Sequence, residues 1–233
     1  MRLTRGENAV AEFVAEFGKD GGPVEADGRL DAAAFRRNHQ PIWAVLKRFL
    51  AGQSGDVFEA GSGTGQHVAY FAGHTPDITW WPSDLHAAHL RSIEAWRLHA
   101  GLANVRPPRP IDLSDPAWSP APPDGAGPDK LLAIFCANVI HIAPWRVAEG
   151  LFAGAARHLR PDGRLFLYGP FKRGGKHTAL SNAVFDTSLR DRDAEWGVRD
   201  IADVETLAES VGLKLAGTFE LPANNMILMF VRG

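Results

Sequence analysis

Three glycines at alternate positions follow an acidic residue in the stretch EAGSGTGQH, residues 59–67. The acid is Glu59, and the glycines are Gly61, Gly63 and Gly65. A short apolar run precedes the stretch and an apolar segment at helical spacing follows it, which predicts a tight turn from a first strand into a helix. At such a turn, bare backbone N–H groups can contact the polar groups of a ligand. A turn that holds no ligand is the alternative.

The spacing of these glycines differs from that of the dinucleotide-binding fingerprint. That fingerprint reads G-x-G-x-x-G, and here Gln66 stands at the position of its last glycine. The difference disfavours an oxidoreductase with a nicotinamide cofactor, which remains one alternative class.

Two further acids follow later strands. Asp84 ends the stretch WWPSD, about 25 residues after Glu59, where a doubly wound fold places the acid that binds ribose hydroxyls. Asp112, in IDLS, follows a third strand and is a candidate acceptor for an adenine amino group. Each acid has an ordinary alternative role, because Asp84 can cap a helix and Asp112 can form a turn.

A fourth strand, KLLAIFCANVI, leads toward the same edge of the predicted sheet. Asn138, Val139 and His141 leave this strand at its carboxyl end, where ligands of parallel sheets gather. The strand is continuously apolar, as in a sheet covered on both faces. Its end therefore belongs to the same candidate site as the glycine turn.

Strand and helix patterns alternate along the chain and predict the elements that position these residues. The first helix is expected over PIWAVLKRFL, with Pro41 in its first turn and Asn38 as a candidate cap. The stretch WRVAEGLFAGAARHL is expected to be a helix that ends at a proline-glycine pair, and RLFLYGPF to be a fifth strand. A helix-like segment then runs from Lys176 to about Asp193. Two final strands, LKLAGTFELP and MILMFVRG, read as a hairpin. The pattern indicates an α/β fold with a parallel sheet covered on both faces.

The motif E-x-G-x-G-x-G resembles the first motif of class I S-adenosylmethionine-dependent methyltransferases. In that superfamily the glycine loop holds the amino-acid part of the cofactor. A larger set of stretches resembles the uncharacterised family that includes methyltransferase-like protein 26: RNHQPI, GSGTGQH, WWPSD, CANVIHIAPWR, YGPF, SNAVFD, EWGVRD and PANN. The resemblance implies a Rossmann-like class I fold with a seven-stranded, mostly parallel, doubly wound sheet, closed by a C-terminal antiparallel hairpin. It starts near Arg37, so we expect an N-terminal arm, residues 1–36, and a single methyltransferase domain, residues 37–233.

The resemblance implies S-adenosyl-L-methionine as cofactor. The residues then expected to bind it are those of the glycine loop, the strand ends and the RNHQPI turn: Asn38, Glu59, Gly61, Ser62, Gly63, Gly65, Gln66, Asp84, Leu85, Asp112, Leu113, Asn138 and Val139. Neither the residues nor the resemblance names the acceptor. A protein that binds the cofactor, or its demethylated product, without catalysis is the second hypothesis.

Methyl transfer proceeds by in-line displacement and releases a neutral thioether, so the protein must mainly hold the acceptor near the methyl group. A base that deprotonates the acceptor is sought among His141, Tyr168, His177 and Asp186. NVIH stands where enzymes that methylate the amino groups of nucleobases or glutamine carry Asn/Asp-Pro-Pro-Tyr/Phe. We therefore expect a small-molecule acceptor with an oxygen, sulfur or nitrogen nucleophile. Candidate residues for its pocket are Trp43, Trp145, Phe171, Phe185, Trp196, Arg190 and Arg199.

Composition limits the partners and the compartment. The formal net charge of −2 gives no sign of a nucleic-acid footprint, and the apolar stretches are too short to span a bilayer. The single cysteine, Cys136, lies in an apolar run and fits a reducing compartment, so a cytoplasmic protein is expected. His86 and His89 have helical spacing but no third ligand, and no metal site is expected. The oligomeric state is left open.

Overall fold

The computed structural model describes residues 27–233. Its six α-helices are α1 (Ala33–Leu50), α2 (Gln66–Gly73), α3 (Ala87–His99), α4 (Trp145–His158), α5 (Leu180–Arg190) and α6 (Ile201–Ser210). The strands are β1 (Gly55–Ala60), β2 (Ile78–Asp84), β3 (Arg109–Pro110), β4 (Leu131–Ala137), β5 (Leu159–Gly169), β6 (Phe171–Arg173), β7 (Lys176–His177), β8 (Arg199–Asp200), β9 (Leu213–Leu221) and β10 (Asn225–Arg232).

Seven strands form one sheet in the order β3-β2-β1-β4-β5-β10-β9. The strands from β3 to β5 pair in parallel, and β10 runs antiparallel to both of its neighbours. The predicted α/β class, with a mostly parallel seven-stranded sheet and a C-terminal antiparallel hairpin, is confirmed. The last strand of that hairpin lies inside the sheet, and β9 forms its edge.

Helices cover both faces of the sheet. One core cluster joins the buried faces of α1, α2 and α3 to the strands, and includes Ile42, Phe71 and Ile93. The other cluster joins α4 and α6 to the opposite face, and includes Phe152 and Val204. Successive strand residues contribute to opposite clusters because side chains alternate across a strand. This arrangement places the carboxyl ends of β1, β2, β4 and β5 at one edge.

The start of α1 corrects the sequence prediction. The helix begins at Ala33, so Pro41 lies inside it and Asn38 is an internal residue, not its cap. The N–H of Ala32, at the helix start, donates to Oε1 of Gln66 at 2.7 Å. The bond that fixes the helix start therefore comes from a residue 34 positions along the chain, which local propensity does not reveal.

Two other boundaries differ from the sequence pattern. β5 begins at Leu159, directly after α4, so the proline-glycine pair of residues 161–163 lies within the strand. The helix predicted from Lys176 begins only at Leu180. Before it, β6 pairs with β7 and β8 in a separate three-stranded sheet. The third strand, Arg109–Pro110, is only two residues long, because proline lacks the N–H that a sheet needs.

Within residues 27–233, no helix has both the length and the apolar character needed to cross a membrane. The division into an arm, residues 1–36, and a domain, residues 37–233, stays a prediction.

Candidate cofactor and active site

The glycine loop connects β1 to α2 and has a left-handed backbone at all three glycines. The φ angles are 68° at Gly61, 58° at Gly63 and 86° at Gly65. A Cβ atom at Gly61 would lie 2.5 Å from Cγ2 of Val139, and one at Gly65 would lie 2.6 Å from Cα of Ile93. A Cβ atom at Gly63 would meet nothing within 4 Å. The loop is therefore packed against protein at its two ends and open at Gly63.

Hydrogen bonds to β2 fix the first half of this loop. The Ser62 N–H donates to the carbonyl of Ser83 at 2.7 Å, and the Ser83 hydroxyl donates to the Glu59 carbonyl at 2.9 Å. The Gly63 N–H donates to Oδ2 of Asp84 at 2.9 Å. The ends of β1 and β2 thus hold the first half of the loop.

Glu59 ends β1 with its carboxyl group in the interior. The residue is 2% exposed, and its Oε2 atom has no hydrogen-bond partner. Burial raises the pKa of Glu59 to about 8, the charge of Asp84 adds to the rise, and a hydrogen bond from Ser62 opposes it. A buried, unpaired carboxyl oxygen is costly, so this atom is available to a hydrogen-bond donor that binds beside the loop.

Asp84 ends β2 and already accepts three hydrogen bonds. In addition to the bond from Gly63, its Oδ1 accepts from the His86 N–H at 2.9 Å and from Nδ1 of His89 at 3.0 Å. Burial would raise the pKa of Asp84, but the hydrogen bonds from His89, His86 and Gly63 outweigh it and lower the pKa. A carboxylate has about four acceptor sites, so one remains for a further donor.

The other predicted strand-end residues differ in exposure. Leu85 is 55% exposed directly after Asp84, and Leu113 is buried in the core. Asp112 is exposed, and its Oδ1 accepts from both the N–H and the hydroxyl of Ser114, at 2.8 and 2.7 Å. Asn138 has a left-handed backbone, with φ of 59°, and its N–H donates to the carbonyl of Tyr168.

Gln66 and Asn38 have side chains that bind other protein groups. Oε1 of Gln66 accepts from Ala32 and from the Thr64 hydroxyl, and its Nε2 donates to Asp31. Oδ1 of Asn38 accepts from Nε2 of His67 at 2.8 Å. Their assignment as cofactor contacts stays a prediction, and the structure gives both side chains a role in the protein itself.

His141 is the most enclosed of the predicted catalytic residues. It is 1% exposed, and neither ring nitrogen has a hydrogen-bond partner. Burial lowers the pKa of His141 to about 3, with a further contribution from the charge of Arg199, so the ring is neutral. The ring packs edge-on against Phe171, and a Cβ atom at Gly169 would lie 2.3 Å from its Nε2. Only a glycine at position 169, at the end of β5, leaves room for the His141 ring.

Tyr168 belongs to the opposite face of the sheet. Its ring is buried in the core under α1, α2 and α3. Burial raises the pKa of Tyr168. The structure therefore does not bring its side chain together with that of His141, which contacts the core under α4 and α6 through Phe171.

His177 and Asp186 are brought together, within a cluster of basic residues. Nε2 of His177 lies 3.2 Å from Oδ2 of Asp186, and Lys172 and Arg190 form ion pairs with the same carboxylate at 2.7 and 3.3 Å. Burial would raise the pKa of Asp186, but Lys172, the N–H of Val198 and Arg190 lower it. The Nδ1 atom of His177 is buried without a partner.

An open cleft of about 860 Å³ lies next to this cluster, between the small sheet and α6. It is lined in part by Trp145, Lys172, Arg190 and Arg199, and neither the glycine loop nor His141 lines it. The guanidinium of Arg199 donates to the carbonyls of Ile140 and Ala143, so it is not free to pair with a ligand carboxylate without rearrangement. Among residues 27–233, no group of three or more His, Cys, Asp or Glu side chains is arranged to hold a metal ion.

Sequence reasoning missed the groups that hold the second half of the glycine loop. The hydroxyl of Ser92, on α3, donates to the carbonyl of Thr64 at 2.7 Å and accepts from the N–H of Leu30. Ser92 stands alone in a helical pattern and carries no motif, so only the approach of α3 to the loop reveals its role.

Solved methyltransferase structures share this fold. An O-methyltransferase family protein from Burkholderia thailandensis matches with a TM-score of 0.70 and 17% identity, over 86% of this chain and 57% of that one. The mitomycin 7-O-methyltransferase MmcR matches with a TM-score of 0.64 and 17% identity, over 77% and 49%. CalO1, a methyltransferase in calicheamicin biosynthesis solved in its SAH-bound form, matches with a TM-score of 0.61 and 14% identity, over 83% and 55%.

These matches define the class of fold as the Rossmann-like α/β fold of class I methyltransferases. This chain spans about half the length of the solved structures it matches. The chain itself belongs to the DUF938 family, described as a protein of unknown function, whose model matches residues 29–232. The narrower resemblance to the methyltransferase-like protein 26 family is not confirmed.

Proposed function

We propose that this protein is an S-adenosylmethionine-dependent methyltransferase that transfers a methyl group to a hydroxyl oxygen of a small molecule. The observation that carries the proposal is the unpaired Oε2 of Glu59 beside a glycine loop that is open at Gly63. A buried carboxyl group without a donor fits a ligand with a cationic donor, and the α-ammonium of the cofactor is such a group.

The remaining groups at this edge fit the other parts of the cofactor. The N–H groups at the start of α2 suit its carboxylate, because the N-terminus of a helix favours negative charge. The free acceptor site of Asp84 suits a ribose hydroxyl, and the exposed side chain of Leu85 offers an apolar surface to the adenine ring. Asp112, which follows β3, is available to the adenine amino group. The cofactor would supply an electrophilic methyl group on its sulfonium sulfur.

His141 is our candidate for the acceptor's base. Neither ring nitrogen has a hydrogen-bond partner, so one nitrogen can accept the hydrogen bond of an acceptor hydroxyl. A pKa of about 3 makes the ring of the ligand-free protein a weak base, so this role requires the pKa of His141 to rise when cofactor and acceptor bind. Loss of the hydroxyl proton makes the oxygen a better nucleophile as the bond to the methyl carbon forms. The choice of oxygen is supported by two of the matched solved structures, the mitomycin 7-O-methyltransferase MmcR and the O-methyltransferase family protein. His177, oriented by Asp186, is the next candidate.

Calorimetric titration of the purified full chain with S-adenosylmethionine, S-adenosylhomocysteine and NAD tests the cofactor. We expect micromolar binding of the first two and none of NAD. A labelled methyl group on the cofactor then allows hydroxyl, thiol and amine acceptors to be compared. A folded protein that binds none of the three compounds would contradict the proposal.

A second candidate function is binding of the cofactor without catalysis. It is favoured by the enclosure of His141, because the cleft beside α6 does not reach this residue. A protein that binds S-adenosylmethionine but transfers no label to any acceptor class would support this second function.

Composition supports two further parts of the proposal. A small-molecule acceptor with no nucleic-acid partner agrees with the net charge of −2. A cytoplasmic location agrees with the single, buried cysteine, Cys136. Cell fractionation and nucleic-acid titration test these two expectations.

A further inference from the structure

The chain just before α1 lies against α3 and the start of α2. The N–H of Leu30 donates to the hydroxyl of Ser92 at 2.8 Å, and Nε1 of Trp96 donates to the carbonyl of Leu30 at 2.9 Å. Two residues later, the Ala32 N–H donates to Oε1 of Gln66 at 2.7 Å. We call residues 27–32 the entry segment.

Two of these contacts continue directly into the glycine loop. The Ser92 hydroxyl accepts from the entry segment and donates to the carbonyl of Thr64 at 2.7 Å. Oε1 of Gln66 accepts from the entry segment and also from the Thr64 hydroxyl at 3.0 Å. Nε2 of Gln66 donates to Oδ1 of Asp31 at 2.8 Å, which adds a second link to the entry segment.

Thr64 lies between Gly63 and Gly65, in the part of the loop that β2 does not hold. Ser92, Gln66 and Thr64 are all buried, so each polar group must be paired within the protein. Gly63 and Gly65, on either side of Thr64, have left-handed backbones. This part of the loop needs such support, since glycine has more conformational freedom than any other residue. The entry segment therefore contributes to the shape of the loop without lying in it.

We propose that Ser92 and Gln66 are positioning residues that connect the entry segment to the glycine loop, hold the loop in shape and thereby set the affinity for the cofactor. The inference rests on the proposed function, because it concerns the affinity of the same loop. Gln66 contributes here through its three hydrogen bonds to protein groups, not through contact with the cofactor.

Single variants of the full chain test each connection. Ser92→Ala removes the donor to Thr64 and the acceptor for Leu30, and Gln66→Leu removes three hydrogen bonds at similar volume. We expect each to weaken the binding of S-adenosylhomocysteine at least tenfold in calorimetry. Ser54→Ala is the matched control, because Ser54 is exposed at the opposite end of β1. Thermal unfolding of each variant shows whether it folds.

A double variant at Gln66 and Asp31 distinguishes a positioning role of their contact from a general loss of stability. Gln66→Glu removes the donor to Asp31 and sets two carboxylates against each other, so we expect weaker binding of S-adenosylhomocysteine. Combining Gln66→Glu with Asp31→Asn restores one donor and one acceptor across the same contact. Recovery of at least half of the lost affinity, on a logarithmic scale, is the expected result, and no recovery would contradict the role of this contact.

Hydrogen exchange of the ligand-free protein provides a readout that needs no cofactor. The amides of residues 61–67 should exchange faster in Ser92→Ala and Gln66→Leu than in Ser54→Ala. Unchanged exchange, or dissociation constants within twofold of the wild type in folded variants, would overturn the inference. If the wild-type protein binds no S-adenosylhomocysteine, the proposed function fails, and the exchange rates alone decide whether these residues hold the loop.

Discussion

The ionisation of Glu59 should make cofactor binding depend on pH. Its pKa is raised to about 8 by burial, so in the ligand-free protein at pH 7 only about a tenth of Glu59 is ionised. An ammonium group beside Oε2 favours the ionised form, because opposite charges attract strongly where water is excluded. Binding should therefore release a proton from Glu59, and Glu59→Gln, which has no proton to release, should remove the dependence.

The size of the effect follows from the ionised fraction of Glu59. With a pKa of about 8, this fraction rises from about 1% at pH 6 to about 50% at pH 8. If only the ionised form binds, the association constant for S-adenosylhomocysteine rises about 50-fold over this interval. Linkage fixes the direction of this change in affinity. The ligand binds the form with Glu59 deprotonated, so affinity is lost as the pH falls below the pKa of Glu59 in the ligand-free protein.

Calorimetry at pH 6, 7 and 8, in buffers with different enthalpies of ionisation, measures both the affinity and the protons released. We expect release of about 0.9 proton per ligand at pH 7. The control is Glu94→Gln, which removes a carboxylate paired with Arg97 on α3, and it should keep the full rise in affinity. A flat profile in the wild type, or the same slope in Glu59→Gln, would refute the reasoning.

Further predictions concern stability and catalysis. Because the pKa of Glu59 is raised in the folded state, the ligand-free protein should lose stability as the pH rises from 5 to 8, by at most about 1.4 kcal/mol per pH unit. Urea denaturation should show this loss in the wild type and not in Glu59→Gln. Asp84→Asn should weaken binding of S-adenosylhomocysteine at least tenfold with an unchanged circular dichroism spectrum; equal affinity would remove Asp84 from the site. His141→Phe should lower kcat at least 100-fold on an identified acceptor while the dissociation constant of the cofactor stays within twofold, and retained turnover would exclude His141 as the base. Gly65→Ala should destabilise the protein by about 2 kcal/mol or more in urea denaturation, since φ is 86° and the new Cβ would lie 2.6 Å from the backbone of Ile93.

The sequence predicts the sheet and the glycine turn because both depend on local patterns. Continuous apolar runs such as residues 131–137 indicate buried parallel strands. The left-handed backbone at Gly61, Gly63 and Gly65 strongly favours glycine. The end of β2 at Asp84 follows from the usual spacing of a doubly wound fold. These features are properties of short segments, so a single sequence contains them.

The partners of the polar side chains depend on residues that are distant in the sequence. The bond of Gln66 to Ala32 spans 34 positions, and that of Ser92 to Leu30 spans 62. Neither pairing leaves a periodic pattern, so the start of α1 and the support of the loop were not predictable. The same holds for Asn38, whose contact with His67 depends on the packing of α1 against α2.

By itself, the sequence determined the fold class, the glycine loop and the acids at the strand ends, since each arises from local backbone preference or from hydrophobic periodicity. The tertiary structure decided the insertion of β10 between β5 and β9, the unpaired state of Glu59 and the enclosure of His141. Burial and hydrogen-bond pairing are set by all the elements that surround a group. The chemistry of a carboxyl or imidazole group therefore becomes defined only when those elements have packed around it.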